Sequence, residues 1–300
     1  MLAAERERDI LNAIVCKEAK QHFLGFSHPF SSAWLTAIPS FFSMITNDLF
    51  LEAFAARVGV PLTLAPHPCR CDATGTPIVT PVGALQHAHS NSSDASSNQN
   101  GRHEVVKKAF TNEFQTLLGT ENVVAEKGRA GNHDKSGYKT RLENNGNFNK
   151  NAVNPSSYLC ADLFVKLGQS NLALDVNVSH PNAKRASEVG EGFGVTRGSV
   201  ADFNSASKHK KYAALYTFKS NFLCPITFET NGCPSIATTA FLGAVKKYIM
   251  AHGSIHQKNI VGTCIKRLVI KVSAALTRSL GSAILDYRKG CQKGAGREGV

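Results

Sequence analysis

CADLFVKLGQSNLALDVNVSHP, residues 160–181, decides how the chain folds. Two apolar runs, YLCADLFVKL and NLALDVNVSH, flank the turn-like GQSN, and each reads as a strand. The pair reads as a β-hairpin. Each run also carries one lone aspartate, Asp162 and Asp175, with 12 residues between them. A carboxylate inside an apolar run is costly unless something compensates it. Two strand-borne carboxylates that converge can hold a divalent cation, which favours their ionised forms and activates water against a phosphodiester. The plainer alternative places one or both on solvent-facing strand positions, where edge charges are common.

Around the hairpin the pattern reads helix, strand, strand, strand, helix, strand. RHEVVKKAFTNEFQTLLG from Arg102 has helical periodicity, and NVVAEK (122–127) is short and β-branched. An Asn-rich stretch of about 129–157 reads as an insertion. After a Gly-rich loop at 190–198, FNSASKHKKYAALYTF reads as a helix capped by Asn204 or Ser205, and LCPITFET (223–230) as a buried strand. The expected fold is α/β of the α+β kind, a mixed central β-sheet flanked by helices with helical extensions at both ends. In front, residues 3–22 can form one amphipathic helix, and NDLFLEAFAARVG (47–59) another with Asn47 as N-cap and Gly59 past its end. The polar tract SNSSDASSNQNG reads as a loop. The expected divisions are a helical segment at 1–66, a Cys- and His-bearing segment at 67–91, a core at 102–234 and a basic helical extension at 235–300.

Three hundred residues with 42% hydrophobic content suffice for a real core. A formal charge of +12 favours a polyanionic partner. From Phe241 onward there are eleven Lys or Arg against two acids, so most of that charge sits in the tail, either as a phosphate-contacting surface or as a solvated face. The N-terminus has no secretory pattern and no apolar run reads as membrane-spanning, so an intracellular chain with no membrane partner is expected. Its eight cysteines are then expected reduced, and close pairs read as metal ligands before disulfides. Lys208 and Lys211, three apart, share a helix face one helix after Asp175 and supply the positive charge that phosphoryl transfer needs. Trp34 reads as a packing anchor.

SSAWLTAIPS (31–40), RVGVPL, a CxC at Cys69 and Cys71, GxxxHA ending at His87 and Ala88, the Arg102–His103 pair, AD…D, KxxKY and PxxFETxG follow in one order. In that order the chain resembles the C-terminal region of non-LTR (LINE-type) retrotransposon reverse transcriptase polyproteins, over roughly residues 10–290. That region carries a restriction-like endonuclease of the PD-(D/E)XK superfamily behind a Cys/His zinc knuckle. The resemblance implies a nuclear, Mg²⁺-dependent (or Mn²⁺-dependent) DNA endonuclease, with RNA of a retrotransposon as a further partner. It makes Asp162 and Asp175, with the Val176 carbonyl, the metal ligands, Lys208 and Lys211 the catalytic lysines, and Arg102 and His103 a phosphate grip at a helix start, where the residues alone read equally as an ordinary helix N-terminus with Glu104 favouring the dipole. Ala161 replaces the usual proline, and Asn177 stands where the superfamily more often has lysine. Glu126 is either an outer ligand or an ordinary exposed strand carboxylate. The knuckle departs from its pattern: Asn91 occupies the fourth ligand position. His89 can substitute, giving a Zn²⁺ set of Cys69, Cys71, His87 and His89, with His67 spare; a compromised site is the alternative. No DD or YxDD occurs in the chain, so no reverse transcriptase site is expected within it. The chain is then expected to be a detached piece, a truncated element copy or a standalone derivative. Beside the active nuclease stand two other readings: a catalytically inactive nucleic-acid-binding remnant, and a relic or protein-interaction domain.

Overall fold

The computed structural model describes residues 2–14, 17–36, 44–58, 95–125, 162–180, 196–213 and 223–295. At the centre is a four-stranded mixed sheet in the order β1 (Val123–Ala125), β2 (Leu163–Leu167), β3 (Ser170–Ser179), β4 (Leu223–Glu229). The first two pairings are antiparallel and β3 pairs with β4 in parallel, which requires a crossover. Helices flank the sheet. In chain order they are α1 (Leu2–Ala13), α2 (Lys17–Ser27), α3 (Pro29–Ser32), α4 (Asn47–Val58), α5 (Ala95–Leu118), α6 (Ser199–Ala213), α7 (Ile236–His252) and α8 (Ile255–Ala295).

The hairpin forms where the sequence places it. Leu167 faces Ser170 across a two-residue turn of Gly168 and Gln169. Gly168 has φ 62°, and an added Cβ would lie 2.0 Å from the Tyr248 hydroxyl, so a larger residue is strained here and would push the tyrosine aside. Pro225 sits within β4, which is tolerated because β4 is an edge strand among the described residues. A single core cluster joins Phe110 and Phe114 of α5, Leu163 and Leu174 of the hairpin, and Ile226 and Phe228 of β4. Phe228 is fully buried, with ring centroids 5.4 Å from Phe30 and 6.3 Å from Phe110. The N-terminal helices are thus stitched to the sheet.

Several expectations are corrected. The single helix expected at 3–22 is two, α1 and α2, and the change falls beside the β-branched Ile14. The first α4 hydrogen bond runs from the Phe50 N–H to the Thr46 carbonyl, so the cap position is Thr46 and not Asn47. The polar tract before Arg102 is partly helical: α5 begins at Ala95, because a helix anchored by Val106 and Phe110 propagates outward at little cost. Helix α6 likewise starts at Ser199, ahead of Asn204 and Ser205. Ser205 is buried, and Asn204 donates from Nδ2 to the Val200 carbonyl at 2.9 Å, both inside the helix.

The tail is core rather than appendage. Val261, Cys264, Leu268, Val272 and Leu276 of α8 belong to the same cluster as the sheet. Glu113 of α5, 3% exposed, accepts from Arg267 Nε at 3.0 Å and Lys271 Nζ at 2.6 Å, which ties α5 to α8. Against expectation, Ile255–Leu285 is long and apolar enough by length and composition to cross a membrane; 61% of its most apolar window is buried in this fold, the pattern of a core helix. Trp34 is buried and meets the Phe50 ring edge-on at 5.6 Å, as a packing anchor should.

Candidate active site

The antiparallel register that pairs Leu163 with Leu174 places Asp162, one residue before β2, opposite Asp175 on the same face of the hairpin. Both are buried, at 6% and 4% exposure, and Asp162 acts on Asp175 electrostatically. The Val176 N–H donates to Asp162 Oδ2 at 2.7 Å. A strand residue turns its N–H and C=O to the same side, so the Val176 carbonyl faces that side too.

Two helices deliver cations to this pair. From α6, Lys208 Nζ reaches Asp175 Oδ2 at 2.6 Å. From α5, His103 Nε2 lies 2.9 Å from Asp162 Oδ2, and its Nδ1 lies 3.3 Å from Glu104 Oε1. Lys107, one turn further along α5, donates to the same Glu104 oxygen at 2.8 Å and is itself 5% exposed. The resulting line of charges runs Asp162, His103, Glu104, Lys107. Sequence reading missed Lys107, although its position four residues after His103 on one helix was a usable signal.

The two aspartates are held in opposite electrostatic states. Burial pushes Asp162 up, but the hydrogen bond and charge of His103, the Val176 N–H and Lys107 together hold it below the usual carboxylate range. Asp175 is raised: burial dominates, the adjoining Asp162 adds to it, and Lys208 offsets only part. Burial lowers His103, yet Asp162 and Glu104 outweigh it and the imidazole is raised, favouring the cation.

Other expected residues fall elsewhere. Arg102 and His103 are not at a helix start, because α5 begins seven residues before Arg102. Arg102 turns inward at 4% exposure, which withdraws it from a solvent-side phosphate, and burial brings its guanidinium down to about 10, still cationic at neutral pH. Lys211 lies on α6, with its side chain outside the described residues. Glu126, Ala161 and the knuckle residues His67, Cys69, Cys71, His87, His89 and Asn91 also lie outside them. Among the described residues no group of three or more His, Cys, Asp or Glu is placed to share a metal ion.

Glu229, at the end of β4, is 2% exposed. Its Oε1 accepts the Val200 N–H at 3.2 Å and its Oε2 the Asn231 side-chain amide at 3.1 Å. It therefore caps α6 from β4, a tertiary cap invisible to local sequence rules. Burial raises its carboxyl to about 7 from 4.5, with the nearby Asp202 adding to the effect. With the folded value raised, the protonated form favours folding: the contribution is complete below pH 4.5 and is lost as pH rises through 7. Denaturant midpoints are expected to correspond to roughly 3 kcal/mol less stability from this group at pH 8 than at pH 4.5. Glu229→Gln should flatten that segment of the pH profile, and an unchanged profile would refute the assignment.

A scan of protein-family models, a search of characterised proteins and a search of solved structures find no match to this chain.

Proposed function

We infer that the chain is a divalent-cation-dependent DNA endonuclease with a restriction-endonuclease-like core, derived from a non-LTR retrotransposon. The observation that carries this reading is the convergence of Asp162, Asp175 and Lys208, from two strands and one helix, at one buried point. The order α5, β1, β2, β3, α6, β4, with its antiparallel start and parallel close, supports the restriction-like core. The donor set suits a hard cation. Two carboxylates and the Val176 carbonyl are all oxygen, the chemistry Mg²⁺ and Mn²⁺ prefer, and two adjoining acids with one of them raised are a site that positive charge relieves.

A cation bound there supplies Lewis-acid polarisation of the scissile phosphate and a more acidic water. The protein's own residues do the rest. Asp162 and Asp175 hold the charge, and Lys208 faces the developing negative charge on the phosphoryl oxygens. His103 and the Val176 N–H both bind Asp162 Oδ2, which fixes the carboxylate and leaves Oδ1 for ligation. Hydrolysis then adds water across one phosphodiester P–O bond, leaving a phosphate end and a hydroxyl end. The test is nicking of supercoiled plasmid with Mg²⁺ or Mn²⁺ by the protein, Asp162→Ala and Asp175→Ala. Cleavage lost in both variants supports the reading; cleavage that survives either substitution, or no cleavage by the parent, rejects it.

A further inference from the structure

Between Glu229 and Asp286 the chain contains no acidic residue, yet it carries seven Lys or Arg together with His252 and His256. This stretch is α7, a turn and most of α8. Three of its cations are used internally: Arg267 and Lys271 on Glu113, and Arg278, which donates to the Met44 carbonyl. Lys246, Lys247, Lys258 and Lys266 remain, and none of them has an ion-pair partner among the described residues.

These four stand on two consecutive helices. Lys246 and Lys247 lie near the end of α7 and Lys258 near the start of α8, on either side of the turn at Gly253; Lys266 follows two turns along α8. At 1.5 Å per residue the step from Lys258 to Lys266 is about 12 Å, which spans three to four phosphates at about 3.4 Å each along one strand. Gly243 and Gly262 are exposed, and a Cβ at either would meet nothing within 4 Å. The exposed large apolar residues of the two helices are Ile236, Met250 and Ile255, so the described residues of α7 and α8 offer no exposed Phe, Tyr or Trp ring for base stacking. That combination suits a duplex backbone better than a single strand.

We propose that the α7–α8 hairpin is a second DNA-binding surface, which grips the phosphate backbone of duplex DNA through Lys246, Lys247, Lys258 and Lys266. It deepens the nuclease reading by naming how the same substrate is held, and binding measured without divalent cations separates the two. The experiment is fluorescence anisotropy of a labelled duplex of about 40 base pairs, titrated with the full chain across a KCl series. The variant replaces all four lysines with Gln, and Arg6→Gln/Arg8→Gln on α1 serves as the charge control.

The slope of log K against log salt should become less negative by about 3 to 4 in the quadruple variant, with affinity near 0.1 M salt falling about a thousandfold. The control should change little. Should the quadruple variant lose its helical circular dichroism, Lys247→Gln and Lys266→Gln are read singly, each shifting the slope by about 1. An unchanged slope overturns the proposal, as does an equal loss in the control or a parent that does not bind duplex. So does a parent that binds phosphatidylcholine vesicles containing phosphatidylserine through these lysines while its duplex binding ignores them. Altered slope without plasmid nicking would keep this surface and reject the nuclease; nicking with an unaltered slope would do the reverse.

Discussion

Asp175→Asn is expected to abolish nicking while raising the melting temperature; Asp162→Asn is expected to abolish nicking while lowering it. The loss of cleavage, about a thousandfold in either case, follows from removing one of two charges that hold the cation and orient the phosphate. The opposite stability effects follow from the opposite states of the pair. Asp162 is held below the ordinary carboxylate range by His103 and the Val176 N–H, so its ionised form favours folding. That stability is present above pH 3.8 and is lost only as pH falls through the lowered value. Its replacement gives up charge-assisted hydrogen bonds worth about 2–3 kcal/mol.

Asp175 is raised by burial and by its neighbour, so its ionised form opposes folding. Its contribution is fully present below pH 3.8 and is lost as pH rises through the raised value. Asparagine should therefore help at pH 8 and make little difference near pH 4. Each kcal/mol corresponds to roughly 2–4 °C in a chain of this size. Thermal melts of both variants at the two pH values, beside plasmid nicking, read the whole prediction. Shifts of the same sign in both variants would show that the asymmetry is absent. A parent less stable than the inactive Asp175→Asn variant is what catalytic preorganisation predicts.

Phe228→Ala is expected to cost about 4 kcal/mol, lowering the urea midpoint without changing the slope of the transition. The ring is fully buried where α3, α5 and β4 meet, against Phe30 and Phe110. Truncation there leaves a cavity lined by elements far apart in sequence, which cannot all close on it. Ile236→Ala, 74% exposed at the start of α7, should stay within about 0.5 kcal/mol and serves as the control. Comparable losses in the two variants would mean that Phe228 is not the junction of these layers.

What was legible in the sequence was local. Two apolar runs around a Gly-containing turn gave the β2–β3 hairpin, and with it the meeting of Asp162 and Asp175, because a two-residue turn determines the register. The buried run of β4 and the helical tail were legible for the same reason. The start of α6 was not, since its cap is the Glu229 carboxylate from another element. Nor was the place of α8: its lysines and arginines read as a solvated or phosphate-binding face, while Arg267 and Lys271 in fact reach Glu113, more than 150 residues away. Arg102 and His103 read as one motif, but consecutive helical residues point about 100° apart, so one faces Asp162 and the other the interior.

The hairpin also determines how this centre tolerates insertions and deletions. Asp162 and Asp175 meet because their positions count outward equally from the Gly168–Gln169 turn, so one residue gained or lost on either arm moves one acid to the opposite side of the sheet. Chain length before Asp162 does not enter that count. Length variation is therefore free upstream and forbidden within the hairpin, which makes the two-acid unit a cassette that survives wide divergence around it and fails at a single-codon indel inside it.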